Sequence, residues 1–196
     1  MSVVFVHGVP DTQLVWDAVV SRLDRRDVVR VSLPGFVVSL RPTLVRSWAA
    51  GGAPLDREYV WHQAAQAWQT PGKGEQIMAM MTPQAMTTAL AAAGVPPADA
   101  ATAAARVDDT MKRCILSLYR SAVNVGTDWE DDLRRVSTPG LVLWGEKDPF
   151  AAVRFGERLA ERTRARFVSF TDCSHWWQLE RPAEVAAELS RHWAGL

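Results

Sequence analysis

The sequence predicts an α/β protein: a doubly wound, mostly parallel sheet of reduced size, with a helical lid inserted into it. Short apolar strands alternate with one-sided helices over residues 3–33 and again over 138–193, the rhythm of strands joined by crossover helices. Between them, residues 51–135 read as helices broken by Gly and Pro, without strands. At 196 residues, 48% of them hydrophobic, the chain suffices for one domain that builds its core without staples. These observations divide it into an α/β core of residues 1–50 and 136–196 and a lid of residues 51–135.

Val3 to Val6 is β-branched and aromatic, as a buried strand requires. Gly8 and Pro10 punctuate a loop over 7–12, and Trp16, Val19, Val20 and Leu23 then fall at helical spacing within a helix over 14–23. A second strand over 27–33 closes at Pro34-Gly35. Val37 to Pro42 reads as the tail of a helix that Pro42 ends, and 43–48 as the next strand. After the Gly51-Gly52-Ala53-Pro54 linker, Trp61, Ala64, Ala65 and Trp68 make a one-sided helix over 59–69, broken by Pro71-Gly72-Lys73-Gly74. Helices over 82–93 and 98–123 follow, the second favoured by its alanines. The α/β rhythm resumes with a strand over 141–144, a helix over 153–163, a strand over 166–170 and a last helix over 182–193.

Lys plus Arg and Asp plus Glu number 22 each, so no net field recruits nucleic acid or an anionic membrane. Cys114 and Cys173 form neither a disulfide framework nor a zinc motif, which fits a reducing compartment. The N-terminal segment reads as a strand rather than a secretory signal, and no apolar run reaches the ~18 residues of a membrane span. The expectation is a cytoplasmic protein with no metal or other cofactor.

Three segments carry chemistry. Phe5-Val6-His7-Gly8-Val9-Pro10-Asp11 is a strand running into a His-Gly turn, followed at a distance by Trp16. Trp144-Gly145-Glu146-Lys147-Asp148 puts a carboxylate just past a strand, where it can orient a histidine or simply start a turn before Pro149. Asp172-Cys173-Ser174-His175-Trp176 follows one helix and one strand later, so Asp148 and His175 would emerge at the carboxyl ends of adjacent parallel strands, where open α/β sheets bind ligands. His62 and His192 read as helical histidines without partners.

In that order the segments resemble the oxyanion, acid and histidine loops of the α/β-hydrolase family, in its epoxide-hydrolase-like and haloalkane-dehalogenase-like branch. The resemblance implies His175 as catalytic base, Asp148 as its orienting acid, and the Val9 N–H as an oxyanion donor; Pro10 has no N–H to offer. It also implies a small apolar substrate or ligand in a pocket whose walls the lid's Met78, Met80, Met81, Met86, Met111, Trp61 and Trp68 could supply, although the same residues suit ordinary packing.

The family's nucleophile elbow is missing from this sequence. It needs Gly-x-(Ser, Cys or Asp)-x-Gly, because the strained strand-to-helix turn tolerates only small flanking residues, and no two of the twelve glycines are four apart. A helix, the elbow strand and most of the following helix, on the order of 45 residues at average element lengths, should stand where Phe36 meets Val37. The resemblance resumes in register after that junction, which reads as an internal deletion. Ser47, Cys173 or a water activated by His175 are the available stand-ins. Three readings remain open on sequence: a hydrolase lineage impaired for lack of a nucleophile, a non-catalytic binder of apolar ligands, and a truncated product that folds poorly. Loss of a mid-sheet strand would also invite self-association into a homo-oligomer.

Overall fold

The computed structural model describes residues 2–8, 11–31 and 45–196, leaving Val9, the 36/37 junction, the helix tail over 37–42 and the end of the second predicted strand outside the described residues. Strands β1 (Val3–Val6) and β2 (Val28–Val31) pair in parallel, Val3 opposite Val28. Strands β3 (Trp48–Ala50), β4 (Gly140–Gly145) and β5 (Arg166–Phe170) form a second parallel sheet in the order β3-β4-β5. A 3-10 turn (Gln13–Trp16), capped by the Thr12 hydroxyl, and a short helix α1 (Asp17–Val20) replace the predicted helix over 14–23.

The doubly wound arrangement follows from the two-residue period of β4, all six residues of which are buried. Leu141 and Leu143 face one way, into a core with Phe5, Val19, Phe170, Trp177, Val185 and Leu189. Val142 and Trp144 face the other, against Leu133, Phe155, Leu159 and Ala160. Helix α9 (Val153–Thr163) thus covers one face, and α1 with α11 (Pro182–Ala194) the other. Phe5 carries the β1–β2 pair into the core of the second sheet by side-chain packing.

Residues 63–135 fold as seven helices: α2 (Gln63–Gln69), α3 (Lys73–Met80), α4 (Pro83–Ala92), α5 (Pro97–Ala104), α6 (Asp109–Ser121), α7 (Val125–Asp128) and α8 (Glu130–Arg135). Met86, Leu90, Ala100 and Ala104 of α4 and α5 bury Val15 and Trp176, while Trp68 and Met78 pack against Ile115, Leu116 and Tyr119 of α6. A four-residue helix α10 (Trp177–Glu180) follows the histidine loop.

Several boundaries differ from the sequence expectation, each for a local reason. Of the strand expected over 43–48, residues 43 and 44 lie outside the described residues, and the described part enters the ladder only at Trp48, because Trp48 lies opposite Gly140 and the preceding Pro139 has no N–H to extend the ladder. The helix expected over 59–69 starts at Gln63, since His62 takes the cap position with its Nδ1 accepting the Ala65 N–H (3.3 Å). Helix 98–123 divides into α5 and α6 because the Asp108 carboxylate accepts the Met111 N–H (2.7 Å) and caps a new helix. Helix α3 was hidden by its glycines: Gly74 lies inside it because a Cβ there would stand 2.8 Å from both Leu116 and the Trp68 carbonyl.

Candidate functional site

Strands β4 and β5 run in parallel, so the loops leaving their carboxyl ends lie side by side. Backbone bonds lock them: Glu146 N–H donates to the Phe170 carbonyl (3.1 Å) and Lys147 N–H to the Cys173 carbonyl (2.8 Å). Asp148 leaves the first loop with its side chain 0% exposed, and His175 leaves the second with 28% exposed. The His175 Nδ1 lies 2.7 Å from Asp148 Oδ2. The other oxygen, Oδ1, accepts N–H bonds from Phe150 (2.8 Å) and Ala151 (2.9 Å), so the carboxylate is fixed on both sides. In the tautomer that gives Nδ1–H to Asp148, Nε2 carries the lone pair that a base needs.

One glycine and two aromatic rings confine the imidazole. Gly52, at φ +63°, sits so close that a Cβ would stand 2.7 Å from His175 Cε1. The rings of Phe150 (5.4 Å, 87°) and Trp176 (5.2 Å, 78°) stand edge-on to it. His62 lies against Phe150, centroids 4.8 Å apart, and carries the ring series on to Trp68 and Tyr119. Burial and the charge of His175 push His62 below its ordinary range, with Asp148 opposing. Burial pushes Tyr119 up to about 12 and raises Tyr59 as well.

From the His-Gly loop, Asp11 reaches the same place: its Oδ2 accepts the Trp176 indole N–H at 3.0 Å. Burial raises its pKa, while that hydrogen bond and the charges of His175 and His7 pull it down. His7 directs Nδ1 at the Gly8 carbonyl (2.6 Å), and its buried Nε2 has no hydrogen-bond partner among the described residues.

Of the residues singled out on sequence, the structure brings Asp148 and His175 into direct contact, while Val9 lies outside the described residues. Ser47 is at the wrong end of the sheet. It precedes β3, whereas the pair follows the carboxyl ends of β4 and β5, a strand length of roughly 15–20 Å away. Cys173 is buried, and burial pushes its thiol up against the opposing Arg181 hydrogen bond, the reverse of what a nucleophilic thiolate needs. The sequence reading gave Gly52 to a linker, His62 to a helix without a partner and Asp11 to the His-Gly segment with no role of its own, and it passed over Phe150. A Gly-Gly pair directly after a strand was the one local signal, and it read as a linker.

No group of three or more His, Cys, Asp or Glu side chains among the described residues could hold a metal ion, and none of their helices is long and apolar enough to cross a membrane.

A parallel sheet with helices on both faces, and a buried aspartate on a histidine at its carboxyl edge, define a class of α/β proteins whose ligands meet the loops there. A profile of the alpha/beta hydrolase family matches residues 37–188, well over half of the chain, and the chain belongs to that family. The match begins at Val37. Among solved structures the fold is similar to the haloalkane dehalogenase DbeA from Bradyrhizobium elkani (TM-score 0.75, 16% identity, covering 100% of this chain and 91% of that one). It is also similar to a thermophilic esterase from Thermogutta terrifontis (TM-score 0.68, 16% identity, 99% and 89%). A third similar structure is the enol-lactonase from Burkholderia xenovorans LB400 (TM-score 0.61, 18% identity, 81% and 60%). No curated protein matches the sequence.

Proposed function

We propose that this chain is a hydrolase of small apolar molecules that retains the base, the orienting acid and the lid of its family but lacks the elbow nucleophile. The observation that carries the reading is the 2.7 Å contact of His175 Nδ1 with a fully buried Asp148, itself held by two backbone N–H groups. An aspartate buried and hydrogen-bonded in this way fixes the tautomer and orientation of a catalytic base. The absence of a Gly-x-(Ser, Cys or Asp)-x-Gly sequence, and the wrong placement of Ser47 and Cys173, support the loss of the nucleophile.

Water is then the attacking group. His175 Nε2 takes its proton as the water oxygen bonds to an ester carbonyl carbon, Asp148 stabilises the imidazolium, and the Val9 N–H receives the developing oxyanion. The imidazolium returns the proton to the leaving alkoxide as the ester C–O bond breaks. In a serine-protease series, loss of the nucleophile costs about 10⁶ in turnover while binding and oxyanion stabilisation keep roughly 10³–10⁴ over water. The expected kcat therefore falls far below the usual ~1–10³ s⁻¹.

Hydrolysis of 4-nitrophenyl acetate by the chain, beside His175→Ala, tests this. Slow turnover that disappears in the variant supports the reading; equal or absent turnover in both sinks it. Saturable binding of an apolar dye without turnover would favour the second reading, a ligand-binding protein, which the ring series from Phe150 to Tyr119 and Trp68 supports. A homo-oligomer belongs to the same proposal, since Val4 and Val6 of β1 are 56% and 39% exposed; sedimentation over a concentration series tests it.

A further inference from the structure

Asp11 and Trp176 are 165 residues apart in sequence and joined by a 3.0 Å hydrogen bond. Trp176 follows His175 directly, is 3% exposed, and stands edge-on to both His175 and Phe150. One hydrogen bond to Asp148 sets the direction of the His175 Nδ1–H but leaves the ring free to rock about that bond. The two edge-on rings remove this freedom only if they are fixed themselves. Phe150 is fixed by its own N–H on Asp148 Oδ1 (2.8 Å). The outer end of the Trp176 indole is fixed by Asp11.

We infer that Asp11 is a positioning residue for His175: through the Trp176 indole it latches the His-Gly loop to the histidine loop and holds the imidazole in register with that loop. The inference rests on His175 being the base of the proposed reaction, and it gives that reaction a geometric requirement. The base must stay in register with a His-Gly loop that comes from the other end of the chain, and Asp11 on Trp176 is a side-chain bond that joins the two loops. A carboxylate on an indole N–H is a charge-assisted bond, stronger than a neutral pair, placed where the two loops meet. Asp11 touches no reacting atom and acts through Trp176.

The test uses the full chain labelled with ¹⁵N and reads two protons by NMR: the Trp176 indole Nε1–H and the His175 Nδ1–H. In Asp11→Ala the indole proton loses its hydrogen-bonded shift, and the His175 Nδ1–H exchanges with water at least about tenfold faster, the lower bound for losing one charge-assisted bond. In Asp11→Asn, whose amide oxygen still accepts from the indole, both protons stay near wild type. Trp176→Phe keeps a ring and removes the donor, so it accelerates the His175 exchange even if the alanine variant fails to fold. The inference is overturned if Trp176→Phe or a cooperatively folded Asp11→Ala leaves the His175 exchange unchanged, or if Asp11→Asn is as impaired as Asp11→Ala. The ester assay on the same samples separates the two claims. A wild type without turnover whose His175 exchange still responds to Asp11→Ala keeps the latch and removes the hydrolase. A wild type with His175-dependent turnover and an unresponsive exchange keeps the hydrolase and removes the latch.

Discussion

Gly52 shows how much one side chain decides at this site. Its left-handed backbone costs a non-glycine residue roughly 1–2 kcal/mol, and an added Cβ would meet His175 Cε1 at 2.7 Å. Gly52→Ala is therefore expected to lower stability by at least about 1 kcal/mol in a denaturant titration and to displace the imidazole, abolishing whatever esterase activity the chain has. Asp56 sets a second constraint. Its carboxylate, 1% exposed, pairs with Arg162 (3.1 Å) and Arg158 (3.4 Å) on α9 and accepts the Glu58 N–H (2.9 Å). Removing this carboxylate takes the ion pair from Arg162 and the acceptor from the Glu58 N–H, while Arg158 keeps Glu58, so Asp56→Ala is expected to cost about 1–2 kcal/mol, read as a lower denaturation midpoint at unchanged slope. Asp148 and His175 were legible in the sequence because each sits in a short loop whose place follows from the strand before it. Asp11 was not, because its partner Trp176 becomes a neighbour only when the sheet assembles. Ser47 was misplaced for a related reason: moving the start of β3 to Trp48 carried the residue from one end of the sheet to the other.

Among the elements, the helices between β3 and β4 depend on caps and ion pairs that respond to acid. His62 must be neutral at Nδ1 to accept the Ala65 N–H, and its pKa lies below the ordinary 6.5. A lowered histidine pKa means that the unfolded state binds the proton first, so stability is full above 6.5 and declines as pH falls through that value. Thermal melts between pH 7.5 and 5.5 are expected to show this decline in the wild type and less of it in His62→Asn, since asparagine caps without titrating; a cap is worth about 1 kcal/mol. Glu75 does the same for α3 at lower pH. Its carboxylate binds Arg120 of α6 through both oxygens (2.8 Å each) and accepts the Gly72 N–H (2.7 Å), which hold its pKa down to about 2. Because that value is below the ordinary 4.5, the contribution is present above 4.5 and lost as pH falls toward 2. Glu75→Gln should flatten the acid limb of the melting curve in that window. The sequence revealed helices wherever their periodicity was uninterrupted, as in α9, and missed α3, where Gly72 and Gly74 read as breakers although one caps the helix and the other lets it approach α6.

For the whole molecule, the decisive feature is that the described strands form two sheets instead of one. The fold class was legible from alternation alone, because strands and helices alternate in the sequence near both ends of the chain. The division into β1–β2 and β3–β4–β5 depends on which strands pair, and periodicity does not carry that information. Side chains join the two parts: Phe5 packs beside Trp16 (5.2 Å), and Trp16 beside Trp177 (6.0 Å). Apart from the Asp11–Trp176 hydrogen bond, the described junction is side-chain packing, which opens at lower free energy than a strand laddered on both flanks. The molecule thus carries a seam, and the seam sets the order in which it comes apart. Under mild denaturant, amide hydrogens of β1 and β2 should exchange first, those of β5 next, and those of β4, enclosed between two partners, last. A chain pulled from its amino terminus would yield in the same order, shedding its first two strands and the Asp11 latch with them while β4 and β5 stayed paired.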